Sequence, residues 1–131
     1  MNIGNSARWG ALSACLALAA PVLAQSSKEY PTAEVALFLT VKTQPGQRDA
    51  LVTLWEKHLQ GRAAENDDQV RYVFALDMAD PDTIRITEVY ETQAAFEANS
   101  QAPWFADYMA EAGPLLAGQP EFHMARPHWI K

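Results

Sequence analysis

The chain has 131 residues, 49% of them apolar, with 10 Lys and Arg set against 16 Asp and Glu. That is one domain of ordinary size with enough apolar side chains for a core, which excludes extensive disorder outside short linkers. The net charge of −6 and the lack of any basic run exclude nucleic acid as an expected partner.

Taken in chain order, the N-terminal segment reads as an export signal. Arg8 is the only charged side chain before Lys28, and an apolar run from Trp9 to Ala20 follows it. Val22 and Ala24 then stand at the −3 and −1 positions of a small-residue cleavage site, so residues 1–24 are expected to be removed after Ala24. The run is short for a membrane anchor and is broken by Pro21, so no membrane association is expected after cleavage. Leu12-Ser13-Ala14-Cys15 also spells a lipoprotein box, but the apolar run before Cys15 is too short and continues beyond it. Cleavage would remove the single cysteine and leave 9 basic residues against 16 acidic ones. A mature chain with no thiol suits a periplasmic or secreted protein. Residues 25–32 read as a linker, and 33–127 as the folded domain.

Ala33–Lys42 is the first predicted strand. Val35, Leu37, Leu39 and Val41 lie on one face, with Ala36, Phe38 and Thr40 on the other, so both faces are largely apolar. Pro45-Gly46 marks a turn into a helix over Gln47–Asn66, where Leu51, Leu54, Trp55, His58 and Leu59 form one amphipathic stripe. Val70–Met78 is the second strand, with Val70, Tyr72, Phe74, Leu76 and Met78 on one face and Val73 and Ala75 opposite; Asp80-Pro81-Asp82 is a turn. Thr83–Glu91 is the third strand, followed by helices over Gln93–Asn99 and from Pro103 through Glu111. Gly113-Pro114 ends the second of these, and a last strand spans Glu121–Arg126.

The order β-α-β-β-α-β predicts an α+β ferredoxin-like plait, an antiparallel sheet with helices on one face. Such a plait leaves the other sheet face bare, yet the first strand is apolar on both sides. A second copy packed sheet to sheet is the simplest cover, so a homodimer is expected.

The first strand is followed by Pro45-Gly46-Gln47; the hairpin runs from Tyr72 to Asp80-Pro81; the string Glu88-Val89-Tyr90-Glu91 precedes Ala94-Ala95-Phe96; and Pro103-Trp104-Phe105 and Pro114-Leu115-Leu116 complete the set. Together these pieces resemble the antibiotic biosynthesis monooxygenase (ABM) domain of the dimeric α/β-barrel superfamily. The resemblance covers roughly residues 35–125. It implies dimers whose sheets face each other and, for several members, oxidation of phenols, hydroquinones or polyketide anthrones by O2 without flavin, haem or metal. Haem-degrading branches also occur. Many members carry a His in the helix after the Glu-x-Tyr/Trp-Glu strand; this chain has Asn99 there, which argues against haem ligation.

Oxygenation without a cofactor needs a proton acceptor, donors that hold the substrate anion, and a dry cage. Glu88 shares a face with Ile84, Ile86 and Tyr90, where a carboxylate must pair, stay protonated or act as a base; an ion pair with Arg71 or Arg85 is the structural alternative. His58, on the apolar stripe, is the second candidate base and otherwise a hydrogen-bonded core histidine. Tyr72, Phe74, Trp104, Phe105 and Tyr108 are candidates to line a pocket for a flat aromatic substrate, and equally suit plain packing. Asn99 is placed to hold a substrate carbonyl or to cap its helix, and His123, facing away from Phe122 and Met124, is a weaker candidate for the pocket. The three histidines lack metal-ligand spacing, and no Gly-rich phosphate loop or nucleophile elbow occurs. The expected function is an exported, cofactor-independent monooxygenase of small aromatic substrates. A dimeric protein that binds a hydrophobic aromatic or quinone without transforming it is the alternative.

Overall fold

A computed structural model describes residues 31–131. The segment read as an export signal, 1–24, and most of the linker lie outside the described residues. Strand β1 (Val35–Lys42) leads through a turn to helix α1 (Arg48–Trp55), a π-helical turn (Glu56–Gln60) and helix α2 (Gly61–Glu65). Strands β2 (Gln69–Leu76) and β3 (Thr83–Tyr90) form a hairpin. Helices α3 (Gln93–Ser100) and α4 (Pro103–Ala112), a short 3-10 turn (Gly113–Leu115) and strand β4 (Glu121–Ala125) complete the chain. The sheet order is β2-β3-β1-β4, with every pairing antiparallel, which is the ferredoxin-like plait.

Local chemistry sets the element ends. Gly46 adopts φ +75, a left-handed conformation that suits glycine, and its N–H donates to Asp82 Oδ1 at 2.7 Å. Asp49 sits in the first turn of α1, where the helix dipole favours an anion. The Thr92 side chain caps α3 by accepting from Ala95 N–H at 3.1 Å, and Pro103 opens α4 where its missing N–H costs no helical bond.

Pairing fixes which side chains share a face. Val35, Leu37, Leu39 and Val41 lie across from Tyr90, Glu88, Ile86 and Ile84, and Tyr72, Phe74 and Leu76 continue that face on β2. The register of β2 slips between Gln69 and Arg71, so Val70 is bulged and Gln69 turns to the same face as Tyr90. This inner face meets the helices at its two ends. Val41, Ile84 and Leu51 pack with Tyr108 and Ala112 at one end; Val35, Leu37 and Tyr90 pack with Ala95 and Phe96 at the other. Ile84 and Tyr90 are fully buried, whereas Ile86 and Glu88 between them are only half-buried.

The outer face is partly covered by the chain itself. Pro127, Trp129, Ile130 and Lys131 lie along one end of it, facing Ala36, Phe38, Arg71 and Val89. Ala36 and Val89 are buried, while Phe38 and Val73 stay about half-exposed, at 48% and 45%.

Candidate functional site

The gap between the two core clusters is a cavity of about 410 Å³ between sheet and helices. Its walls are mostly apolar: Leu37, Leu39 and Ile86 from the sheet, Leu59, Phe105 and Met109 from the helices. The volume falls within the range of small-molecule sites, ~300–1,000 Å³. The polar groups concentrate at one place on its floor, around Glu88.

Glu88 and Tyr90 project from alternate positions of β3 onto the same face. The Tyr90 hydroxyl donates to Glu88 Oε2 at 2.5 Å. It accepts in turn from Gln69 Nε2 and from Asn99 Nδ2, both at 2.8 Å. Gln69 Nε2 also reaches Glu88 Oε2 at 3.2 Å, and Asn66 Nδ2 supports Asn99 Oδ1 at 3.5 Å. Tyr90 is therefore the hub of a network drawn from β2, β3 and α3, in which every donor is neutral. Glu88 Oε1 has no donor among the described residues.

Tyr72 lies directly across the β2–β3 ladder from Glu88. Its hydroxyl accepts from Trp55 Nε1 at 2.9 Å, and its own proton has no acceptor among the described residues. The cavity floor thus carries an unpaired acceptor beside an unpaired donor. Burial pushes the Glu88 carboxyl above its ordinary range, and the Tyr90 hydrogen bond only partly offsets this. Burial, followed by the nearby Glu88 charge, raises Tyr72 and Tyr90 as well. Tyr108, also on the cavity wall, is pushed up to about 12 by burial. All three tyrosines remain neutral donors at physiological pH.

Of the residues singled out in the sequence, Glu88, Tyr72, Asn99, Phe105 and Tyr108 line this cavity together. Trp104 lines a smaller adjoining cavity, with the Arg62 guanidinium 4.9 Å from its ring centroid. Phe74 stands behind the wall, stacked on Trp55 at a centroid distance of 4.3 Å. His58 is turned away from the cavity. Its Nε2 lies 3.0 Å from Glu111 Oε1, in a contact shared with Lys57. The π-helical turn is the reason: it adds a residue to the α spacing, so Leu59 rather than His58 continues the stripe of Leu51, Leu54 and Trp55. His123 pairs across from Phe38 on the outer face. Neither arginine offered as a partner for Glu88 reaches it. Arg85 Nε binds Asp77 Oδ2 at 2.7 Å, and Arg71 Nη2 donates to the carbonyl of Lys131.

Tyr90, Gln69 and Asn66 complete the site although sequence reasoning gave them no role. Tyr90 carried a signal, since it stands two residues from Glu88 on the same face. Gln69 did not, because its inward turn depends on the bulge at Val70.

The class the structure defines is a ferredoxin-like plait whose helices leave a small-molecule cavity over one half-buried acid. Residues 35–111 match the antibiotic biosynthesis monooxygenase family, and the chain belongs to it. Among solved structures, a protein from Chloroflexus aurantiacus J-10-fl that carries the same family name is 31% identical. The match covers 74% of this chain and 95% of that one, with a TM-score of 0.63. A namesake from Caulobacter crescentus CB15 shares 17% identity over 75% of this chain and 92% of its own, at a TM-score of 0.67. A protein of unknown function from Nitrosomonas europaea shares 23% over 77% and 95%, at 0.66. These last two are similar in fold alone. Curated proteins give no match.

Proposed function

We propose that the protein is an exported, dimeric monooxygenase that acts with O2 on small phenolic, hydroquinone or polyketide-type aromatics without a cofactor. The observation that carries this reading is the pairing at the cavity floor. Among the described residues, Glu88 Oε1 is an acceptor without a donor, and the Tyr72 hydroxyl is a donor without an acceptor. A single substrate hydroxyl satisfies both. Its proton points to Glu88, and its oxygen accepts from Tyr72.

The chemistry follows from that pose. Glu88 takes the hydroxyl proton, its raised affinity for protons suiting it to the role of base. Tyr72, already neutral and oriented by Trp55, holds the anionic oxygen. The anion passes one electron to O2, and the resulting radical pair joins at an activated ring or methylene carbon as a peroxide anion, which takes the proton back from Glu88 to become a hydroperoxide. Loss of water from that group leaves a carbonyl. The hydroxyl hydrogen, the ring C–H hydrogen and one O2 become a new quinone carbonyl and one water, so no external reductant enters the balance. The apolar walls keep the hydroperoxide from bulk water. The exposed Phe38 and Val73 on the outer face support sheet-to-sheet pairing of two copies.

The test is oxygen uptake by purified mature protein against a panel of hydroquinones, naphthols and anthrones. Turnover above autoxidation that disappears in Glu88→Gln is the expected result. Saturable binding of the same compounds with no uptake would replace this reading with that of a binding protein.

A further inference from the structure

One polar group of the large cavity plays no part in the pose at Glu88. Tyr108, on the helix side, lines the same space, and its hydroxyl has no hydrogen-bond partner among the described residues. Its ring is flanked by Phe105 and His58, at centroid distances of 6.1 and 6.2 Å. Tyr108 as a whole is only 9% exposed, yet its hydroxyl is not sealed off: among the described residues the only buried side-chain nitrogen or oxygen without a partner is Arg48 Nε. The surface that Tyr108 keeps therefore includes the hydroxyl, and the cavity is the space it lines.

Tyr108 and the Glu88–Tyr72 pair stand at different ends. Tyr108 packs in the cluster of Val41 and Ile84, whereas Tyr72 faces Glu88 across the ladder. Ile84 and Glu88 are separated by ~13 Å of extended strand, with Ile86 and its partner Leu39 forming an apolar floor between them. After burial and the Glu88 charge, Tyr108 also adds to the rise of the Tyr72 pKa, so the two phenols face one space. A hydroxyl that looks into an apolar cavity without a partner is a cost to the fold that a ligand oxygen removes. We propose that Tyr108 determines specificity by hydrogen-bonding a second oxygen of the aromatic ligand, at the end of the ring system opposite the hydroxyl held by Glu88 and Tyr72. A phenolic hydroxyl both donates and accepts, so that second group is a hydroxyl or a carbonyl. A phenol without it leaves Tyr108 unpaired, and a site built around a polar contact discriminates against a ligand that lacks it. The placement of the far oxygen rests on the pose proposed for the reacting hydroxyl; the contact with Tyr108 requires binding but no turnover.

The test is anaerobic calorimetric titration of the wild type and Tyr108→Phe, a change that removes only the hydroxyl. Two ligand pairs are compared: hydroquinone with 4-methylphenol, and 2,6-dihydroxynaphthalene with 6-methyl-2-naphthol. Each pair keeps the reacting hydroxyl and the outline of the ring system and differs in the far oxygen. In Tyr108→Phe the ratio of the diol's Kd to that of its methyl partner should rise by about five- to tenfold in the pair whose length spans the cavity. Catechol, whose second hydroxyl adjoins the first, should show no such rise relative to 2-methylphenol. Unchanged ratios in both pairs, or a rise for catechol equal to theirs, would overturn the role of Tyr108. A shifted ratio in a protein that takes up no oxygen would uphold that role in a binding protein and sink the monooxygenase reading alone.

Discussion

Two carboxylates near the ends of the β2–β3 hairpin have opposite fates. In the turn that joins the strands, Asp77 Oδ1 accepts from the backbone N–H groups of Ala79 and Asp80 at 2.9 and 3.0 Å, and Oδ2 accepts from Arg85 Nε at 2.7 Å. Those bonds, the arginine first, hold its carboxyl down at about 2. At the far end of the hairpin, Glu88 finds only neutral donors and apolar neighbours, and burial raises it. Asp77 is satisfied on both oxygens, one by its own turn and the other by Arg85 of β3. Glu88 keeps one oxygen open to a cavity. A fully bonded anion builds structure, whereas an anion held where it is costly and incompletely bonded is available for chemistry.

The sharpest way to break this contrast is Glu88→Gln. The amide still accepts from Tyr90 but takes no proton, so turnover should fall by about 10²–10⁴, the usual scale of a lost general base. Stability should move the other way. A carboxyl whose folded pKa is raised stabilises the fold at low pH and loses that contribution as pH rises through the folded value. Thermal melts at neutral pH should therefore show Glu88→Gln above the wild type, and the gap should close in acid. By the same sign, kcat/KM should rise with pH on a limb above the ordinary glutamate value of 4.5. A limb at or below 4.5 would remove Glu88 from the role of base.

Tyr90→Phe comes next, because it strips the hub. Asn99 Nδ2 loses its acceptor, and Glu88 keeps a single donor, Gln69. The expected cost is ~1–3 kcal/mol, read from denaturant unfolding. Tyr72→Phe is milder. It leaves Trp55 Nε1 without its acceptor, at ~1 kcal/mol or somewhat more, and removes the donor assigned to the substrate oxygen. Binding of a phenol should weaken more than binding of the corresponding methyl ether, as titration of both ligands would reveal.

The sequence carried the plait well, because the strands alternate and every connection is short. It also carried the oddity of Glu88, since a charged side chain in phase with Ile84 and Ile86 needs only the two-residue period to be noticed. It failed where the backbone departs from a regular period. The π-helical turn took His58 off the stripe, and the bulge at Val70 brought Gln69 inward. The cavity was legible as a set of candidate lining residues, Tyr72, Asn99, Phe105 and Tyr108 among them, but not in its cause. It exists because the helices close over Ile84 and Tyr90 but not over Ile86 and Glu88, a matter of where packed elements meet.

The smallest expected effect is the control for the whole contrast. Asp77→Asn keeps an oxygen for the Ala79 and Asp80 N–H groups but weakens the contact with Arg85. A carboxyl with a depressed folded pKa contributes stability above its unfolded value and loses it as pH falls toward the folded one. The variant should therefore melt slightly below the wild type at neutral pH, with the difference fading between the ordinary aspartate value of 3.8 and about 2. Because Asp77 lies at the hairpin turn, outside the cavity lining, oxygen uptake should not change. If Asp77→Asn reduced turnover as Glu88→Gln does, the two acids would not be separable into a structural and a chemical one. The assignment of the base would then fail together with the comparison.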